Sequence, residues 1–146
     1  MKQKVSDYIA EYIAQWGIRD VFTVTGGGAM HMNDAFGHHP KLHCTYQHHE
    51  QACAMAAEAY ARMDNRMAAV CVTTGPGATN AITGVLGGWM DSIPMIVFSG
   101  QARYATTVPA SGLPLRSMGV QECNFVPMVS SITQYAHMIV HPEDIR

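Results

Sequence analysis

Glu50 is the residue whose type and position most invite a chemical explanation. It opens a predicted helix over residues 50–63 that is otherwise built largely from alanine and other small or apolar residues. A carboxylate at a helix N-terminus is stabilised by about 0.3–1 kcal/mol through the helix dipole, so its position also has a purely structural explanation. A carboxyl group in a water-poor pocket can instead share a proton with a ligand. The residue pattern alone favours the structural explanation and leaves the chemical one open.

Two glycine-rich turns form a second group of candidate site residues. Gly26-Gly27-Gly28 and Gly75-Pro76-Gly77 each follow a predicted strand and precede a predicted helix. Open parallel sheets bind ligands at the carboxyl ends of their strands, where backbone N–H groups can receive an anion or a cofactor edge. Neither turn contains Gly-x-Gly-x-x-Gly or Gly-Lys-Ser/Thr, so neither has a nucleotide-phosphate signature. Tight-turn geometry is the simpler explanation, and a ligand site is the alternative.

The eight histidines and four cysteines raise the question of a metal or thiol site. His48-His49-Glu50 does not have the His-Glu-x-x-His spacing, and adjacent helix residues point in different directions, which favours solvated turn histidines over metal ligands. We therefore predict no metal ligand in this chain. The cysteines form no Cys-x-x-Cys pair and most lie in apolar segments, so we expect reduced thiols, a cytoplasmic location and no thiol nucleophile.

Composition indicates one domain with a partner surface. The chain has 146 residues, of which only 14% are charged, against a usual fraction of about 25% in soluble proteins. Much apolar surface should therefore be buried against something, which indicates an obligate partner surface. The net charge of -2, without a cluster of lysine or arginine, argues against binding to nucleic acid or to an anionic membrane. The apolar runs are too short to span a bilayer.

Predicted strands and helices alternate along the first two thirds of the chain. The strands are expected at residues 20–24, 42–46, 68–73 and 94–99, and the helices at residues 5–16, 29–36, 50–63 and 78–90. Such alternation predicts βαβ crossovers, and therefore an open α/β fold with a parallel sheet covered by helices on both faces. Three glycines in the last helix, at positions 84, 87 and 88, favour close contact with another helix.

The last third of the chain is less regular. Residues 102–119 contain two prolines and are predicted to form a long irregular loop, a length that usually marks a functional or interfacial segment. A further strand is expected at residues 133–140, and Pro142 suits the first position of another helix. We therefore expect a single domain over residues 1–146 that is incomplete at its C-terminal end.

Ordered motifs resemble the acetolactate synthase-like group of thiamine diphosphate enzymes. They are Gly17-Ile18-Arg19-Asp20-Val21-Phe22, Gly26-Gly27, His49-Glu50-Gln51-Ala52, Ala57-Glu58-Ala59-Tyr60-Ala61-Arg62, Thr74-Gly75-Pro76-Gly77-Ala78-Thr79-Asn80 and Met90-Asp91-Ser92-Ile93-Pro94. The match continues through Ser99-Gly100-Gln101 and Gln121-Glu122, and it corresponds to the N-terminal pyrimidine-binding domain of that family. The resemblance implies the three-layer thiamine diphosphate-binding fold.

The resemblance also implies a chemical role for Glu50. In the family, the matching glutamate hydrogen-bonds N1′ of the cofactor's aminopyrimidine and so promotes removal of the proton from thiazolium C2. The activated cofactor attacks a 2-keto acid, carbon dioxide leaves, and a second carbonyl or a proton captures the product. Further cofactor-binding residues implied by the match are Thr25, Gly26, Gly27, Pro76, Asn80 and Gln121.

Partners beyond this chain are implied as well. In the family, the diphosphate and Mg²⁺ are held by a C-terminal domain with a Gly-Asp-Gly motif, which these 146 residues lack. A second subunit completes the active site, so a homodimer or homotetramer is expected, and the chain alone is expected to be inactive. Whether FAD is bound stays open.

Departures from the family pattern leave the reaction open. Val120 stands where acetolactate synthases usually have phenylalanine, and Val24-Thr25-Gly26-Gly27 replaces Tyr-Pro-Gly-Gly. Acetolactate formation is therefore one candidate, and a 2-keto acid decarboxylase without carboligation is another. Two hypotheses from other classes are a noncatalytic dimerisation or regulatory domain that retains the fold, and a metal-binding protein that uses His48 and His49.

Overall fold

A parallel sheet forms the middle layer of the protein, for which a computed structural model describes residues 3–145. The four strands are β1 (Asp20–Thr23), β2 (His43–Tyr46), β3 (Ala68–Val72) and β4 (Met95–Ser99), in the spatial order β2-β1-β3-β4. The main helices are α1 (Val5–Gln15), α2 (Met30–His38), α3 (Glu50–Asp64), α4 (Pro76–Asn80) and α5 (Ile82–Met90).

Strand β3 is buried along its whole length because helices cover both faces of the sheet. On one face, Ala69 and Cys71 pack with apolar residues of α1 and α2. On the other face, Val70 and Val72 pack with α3 and with the residues around α4. An apolar run without alternation is typical of such a strand. The open α/β fold with helices on both faces is therefore confirmed.

Helices α3 and α5 lie in close contact because glycine occupies the crossing point. A Cβ atom at Gly84 would lie 2.5 Å from the Cβ of Ala54 and 2.8 Å from the backbone nitrogen of Met55. Any larger residue at position 84 would thus push the two helices apart. The guanidinium of Arg62 also donates to Glu58 on its own helix and to Asp91, which directly follows α5. The predicted close helix contact is confirmed at Gly84.

Two predicted elements have different bounds in the structure. The helix expected at residues 78–90 starts two residues earlier, at Pro76, and a turn at Ala81 divides it into α4 and α5. The irregular loop expected at residues 102–119 contains a 3₁₀ turn at Tyr104–Thr106 and a short helix, α6 (Val108–Ser111), whose N-terminus is capped by the Thr107 hydroxyl. Another short helix, α7 (Val126–Val129), follows.

The strand predicted at residues 133–140 was wrong. The segment alternates between more and less exposed side chains, as an extended chain does, but it pairs with no strand among residues 3–145. It leads to a 3₁₀ turn, Pro142–Ile145, which contacts α1. Extended backbone becomes a strand only beside a free sheet edge, and this segment does not run along one. The helix expected to begin at Pro142 is this 3₁₀ turn within the described residues.

Among residues 3–145, no helix has both the length and the apolar character needed to cross a membrane.

Candidate functional site

The two glycine-rich turns meet at the carboxyl ends of neighbouring strands. Strands β1 and β3 pair directly, with Val21 opposite Ala69. Gly28 donates its backbone N–H to the hydroxyl of Thr73 at 3.1 Å. A Cβ at Gly26 would overlap the Thr73 side chain, which lies 2.6 Å away at its hydroxyl oxygen. Glycine at position 26 therefore allows the first turn to lie against the second.

Glu50 lies at the N-terminus of α3 with one carboxylate oxygen held and the other free. Its Oε2 accepts a hydrogen bond of 2.9 Å from Nδ2 of Asn80, the last residue of α4. Its Oε1 accepts no hydrogen bond from residues 3–145 and faces Gly77, where a Cβ would lie 3.3 Å away. His49 caps the helix by accepting the N–H of Gln51, so the cap does not use the Glu50 carboxylate. This arrangement orients one acceptor oxygen and leaves it available to a ligand.

The second turn is locked against the segment that carries Gln121. Gly75 has a φ of +59°, and a Cβ on it would overlap the backbone carbonyl of Gln121. Gln121 itself has a φ of +56°, in the left-handed region. Such a conformation costs about 1–3 kcal/mol in a residue other than glycine, so the surrounding contacts must hold Gln121 in place. Thr74 supports the contact by donating its hydroxyl to the Gln121 carbonyl at 3.3 Å.

Replacing Gly75 with alanine is expected to lower the free energy of unfolding by about 2–3 kcal/mol, because the new Cβ meets backbone and the positive φ is strained. The matched control is Gly27→Ala, since a Cβ at Gly27 has no atom within 4 Å. Urea unfolding followed by circular dichroism measures both. Equal stabilities for the two variants would contradict the packing of the turn against Gln121.

A cleft of about 330 Å³ lies beside these turns, at the carboxyl ends of β1, β3 and β4. It is lined by Gly27, Gly28, Thr74, Gln101, Ala102, Arg103, Thr106, Val120 and Gln121. Three hydrogen bonds hold its wall: the amide of Gln101 accepts from the Thr74 hydroxyl and from its neighbour's backbone N–H, and donates to the carbonyl of Cys123, each at 2.8 Å. The wall is thus rigid where it borders the strands.

Glu122 fastens the outer loop to this wall. Its carboxylate accepts the backbone N–H groups of Val108 at 2.7 Å, Met118 at 2.8 Å and Gly119 at 3.3 Å. These donors stabilise the charged form, so they hold the pKa of Glu122 below its ordinary value, with the Val108 N–H as the largest cause. One carboxylate therefore joins the two ends of the segment 108–119.

The predicted site residues fall into three groups. Glu50 and Asn80 are hydrogen-bonded to each other. Gly27 and Gln121 line the cleft, and Gly26 packs against the second turn. Thr25 and Pro76 are exposed, with Pro76 at the first position of α4, and neither side chain contributes a hydrogen bond among the described residues. The expected cofactor contacts of all these residues stay predictions.

Sequence reasoning assigned no role to several residues that build the site. Thr73 and Thr74 join the turns and the cleft wall, Gln101 holds the wall, and Arg103 lines it. The signal for the two threonines was present, since they follow a buried strand directly and precede a glycine turn. Arg103 lies in an irregular loop whose path the sequence does not indicate.

The two buried cysteines, Cys53 and Cys71, have thiols with raised pKa values. Burial raises the pKa of the Cys71 thiol to about 12. Burial, followed by the nearby charge of Glu50, raises the pKa of the Cys53 thiol to about 11. Both thiols therefore hold their protons at neutral pH, which agrees with the expectation that they are not nucleophiles.

The stability of the fold is expected to fall in alkali because of Cys71. Its folded pKa lies above the ordinary value of 9.0, so its stabilising contribution is complete below pH 9 and is lost as the pH rises towards 12. The free energy of unfolding should decrease by about 1.4 kcal/mol per pH unit from this group. Urea unfolding between pH 8 and 11 measures the slope, from which Cys71→Ala should remove the Cys71 part and leave the part due to Cys53. An unchanged slope in that variant would refute the assignment.

Among residues 3–145, no three histidine, cysteine, aspartate or glutamate side chains are grouped so that they could hold a metal ion. His48 and His49 are both exposed, and His49 is engaged as the α3 cap. The geometry therefore lends no support to the histidine metal-binding hypothesis.

Comparison with known proteins gives a consistent result over most of the chain. Residues 3–128 match the family model described as "Thiamine pyrophosphate enzyme, N-terminal TPP binding domain". The chain is 34% identical over 146 residues to acetolactate synthase 2, chloroplastic, of Zea mays, a match that covers 98% of this chain and 21% of that protein. It is 31% identical over 140 residues to the acetolactate synthase large subunit of Lactococcus lactis subsp. lactis (strain IL1403), covering 96% of this chain and 23% of the relative. The chain thus spans about a fifth of the length of these relatives.

Proposed function

Because the chain belongs to the thiamine pyrophosphate enzyme family, as its N-terminal TPP-binding domain, we propose that it is the pyrimidine-binding module of an acetolactate synthase-like enzyme. Such an enzyme decarboxylates a 2-keto acid and joins the product to a second carbonyl. The observation that carries the proposal is the Glu50 carboxylate, anchored by Asn80 at one oxygen and free at the other. Thiamine pyrophosphate and thiamine diphosphate are the same cofactor.

The Glu50 site fits the aminopyrimidine half of this cofactor. A ring N–H at N1′ needs an oriented carboxylate acceptor, and Oε1 of Glu50 is the free oxygen of a half-buried side chain. Asn80 fixes the carboxylate plane through its hydrogen bond to Oε2. Gly77 leaves room beside Oε1 that a side chain would fill. We propose that Glu50 holds and returns the proton at N1′, so that its catalytic contribution is general acid–base chemistry.

The remaining predicted residues would bind and shield the cofactor. Gly26 and Gly27 offer backbone without side chains beside the second turn, and Thr25 and Pro76 offer exposed surface at the rims of the two turns. Gln121 is held at the cleft by its contact with Gly75. When bound, thiamine diphosphate supplies the carbon that attacks the keto acid and the electron sink that allows carbon dioxide to leave. We propose that Mg²⁺ and the diphosphate are held by another domain.

A second subunit is the partner that best suits the outer surface of α3 and α5. Large apolar side chains are exposed there: Met55 and Met63 on α3, and Leu86, Trp89 and Met90 on α5. Exposed apolar surface of this kind is typical of interfaces. We propose a homodimer or homotetramer in which this face is covered. The four free cysteines suit a reducing compartment such as the cytoplasm.

Calorimetric titration of the complete natural protein with thiamine diphosphate and Mg²⁺ tests the proposal. We expect saturable binding, weakened about tenfold by Asn80→Ala, because the anchor of the Glu50 carboxylate is worth about 1.5 kcal/mol as a charge-assisted hydrogen bond. Thr83→Ala is the control, since Thr83 is exposed on the adjacent helix. No binding by the wild type would favour the noncatalytic dimerisation or regulatory domain instead.

The reaction class depends on the step after decarboxylation. Val120, which lines the cleft and is exposed, replaces the phenylalanine usual at this point in acetolactate synthases. Product analysis would distinguish a carboligase from a simple 2-keto acid decarboxylase.

A further inference from the structure

Among residues 3–145, Arg103 is the only charged residue that lines the cleft of about 330 Å³. Its backbone carbonyl accepts the hydroxyl of Thr106, which fixes the main chain at this point. Its guanidinium forms no ion pair and donates no hydrogen bond to any of residues 3–145. The cleft therefore holds one uncompensated positive charge.

The other polar groups of the wall are committed to each other. Thr74 and Gln101 share a hydrogen bond, and the Gln101 amide makes two further bonds to backbone groups. The carboxylate of Glu122, which directly follows Gln121 in the chain, is engaged by three backbone N–H groups and forms no ion pair with Arg103. Within the cleft, Arg103 and Gln121 are the polar side chains that make no hydrogen bond to any of residues 3–145.

A guanidinium and an amide suit the two oxygen-bearing groups of a 2-keto acid. The planar fork of arginine binds a carboxylate through two parallel hydrogen bonds, and an amide N–H binds a ketone oxygen. A volume of about 330 Å³ lies at the lower end of the range for small-molecule pockets, which favours a short acid. The cleft adjoins the Glu50 site, because Gly75 contacts Gln121 and Gly77 contacts Glu50 in the same turn.

We propose that Arg103 binds the carboxylate of a small 2-keto acid while Gln121 contacts its keto oxygen. This inference rests on the proposed function for the identity of the acid. Arg103 is then the residue that makes the site selective for acids over neutral carbonyl compounds. It orients the substrate and takes no part in proton transfer.

Binding of oxamate, a non-reacting 2-keto acid analogue, tests the proposal in the complete natural protein loaded with cofactor. We expect Arg103→Gln to raise the dissociation constant of oxamate about 10- to 100-fold. Arg103→Lys keeps the positive charge but lacks the planar guanidinium. Its dissociation constant for oxamate should lie between those of the wild type and Arg103→Gln. Oxamide, the neutral counterpart, should bind wild type and variants equally. Arg116→Gln is the matched control, because Arg116 is exposed on the same loop outside the cleft lining.

Two outcomes would overturn the role of Arg103: unchanged oxamate binding in Arg103→Gln, or an equal loss in Arg116→Gln. Failure of the wild type to bind oxamate would overturn the proposal that the cleft binds a small 2-keto acid. Thermal unfolding of each variant checks that the fold is intact. Exchange of the cofactor's C2 proton is measured in parallel and should be unaffected by Arg103→Gln. Absence of exchange in the wild type would refute the proposed function separately.

Discussion

Replacing Glu50 with glutamine is expected to slow exchange of the cofactor's C2 proton by about 100- to 10,000-fold, the usual contribution of a general acid–base group. Glutamine has nearly the same shape, and its amide oxygen can still accept the hydrogen bond from Asn80. It cannot take a proton from a ring nitrogen at neutral pH. The variant therefore removes the chemistry and keeps the packing. The measurement is deuterium exchange at C2 of the bound cofactor, followed by NMR after rapid acid quench.

Glu58→Gln is the control for this experiment. Glu58 lies two turns further along α3 and is engaged with Arg62, so its loss changes the charge of the same helix without touching the proposed site. Its exchange rate should stay within about twofold of the wild type, since the Glu58 carboxylate binds Arg62 and does not contact Glu50 or Asn80. If the C2 exchange rates of Glu50→Gln and the wild type were similar, Glu50 would have no role in the mechanism. The structural explanation, a carboxylate stabilised at a helix N-terminus, would then be sufficient.

Replacing Gly84 with valine should be the most damaging change to the fold itself. The added side chain would meet the Cβ of Ala54 and the backbone of Met55, neither of which can turn aside. Overpacking of this kind costs about 3 kcal/mol at its usual upper end, a large share of the roughly 5–15 kcal/mol that stabilises a typical domain. Denaturant unfolding measures the loss. Because α3 begins at Glu50, a shift of α3 should also weaken cofactor binding.

Gly87→Val provides a matched comparison on the same helix. A Cβ at Gly87 would meet only the end of the Glu58 side chain, at 3.0 Å, and that carboxylate can rotate away. We expect a loss below about 1 kcal/mol. If both valine variants lost the same stability, the cause would be the helix backbone and not the contact between α3 and α5.

The sheet could be predicted because a strand that is buried on both faces has a recognisable sequence pattern. The apolar run of β3 and the three- and four-residue spacing of apolar residues in α1 each specify one type of element. Residues 133–140 have an equally good local pattern but no sheet edge beside them. Local alternation specifies extended backbone, whereas pairing depends on the path of the whole chain.

Some features of the site could likewise be predicted from the sequence, and others could not. The sequence placed both glycine turns at strand ends, and the resemblance singled out Glu50 and Asn80. The contact of Thr73 with Gly26 follows from β1 lying beside β3, although β2 comes between them in the chain. Arg103 lies at the cleft because side-chain hydrogen bonds determine the path of its loop. Neither contact could be predicted from residue spacing alone.

Because the carboxylate of Glu122 holds both ends of the segment between Val108 and Met118, the middle of this segment can be replaced by another sequence. Both ends of the segment are gathered at one side chain, so the residues between them close on themselves as a compact surface loop. Lengthening such a loop adds little free energy, because loop closure depends only weakly on length. Residues 112–117 could therefore be replaced or extended, for example with a peptide tag, without moving the cleft wall. Evolution could vary the same stretch and keep the site intact.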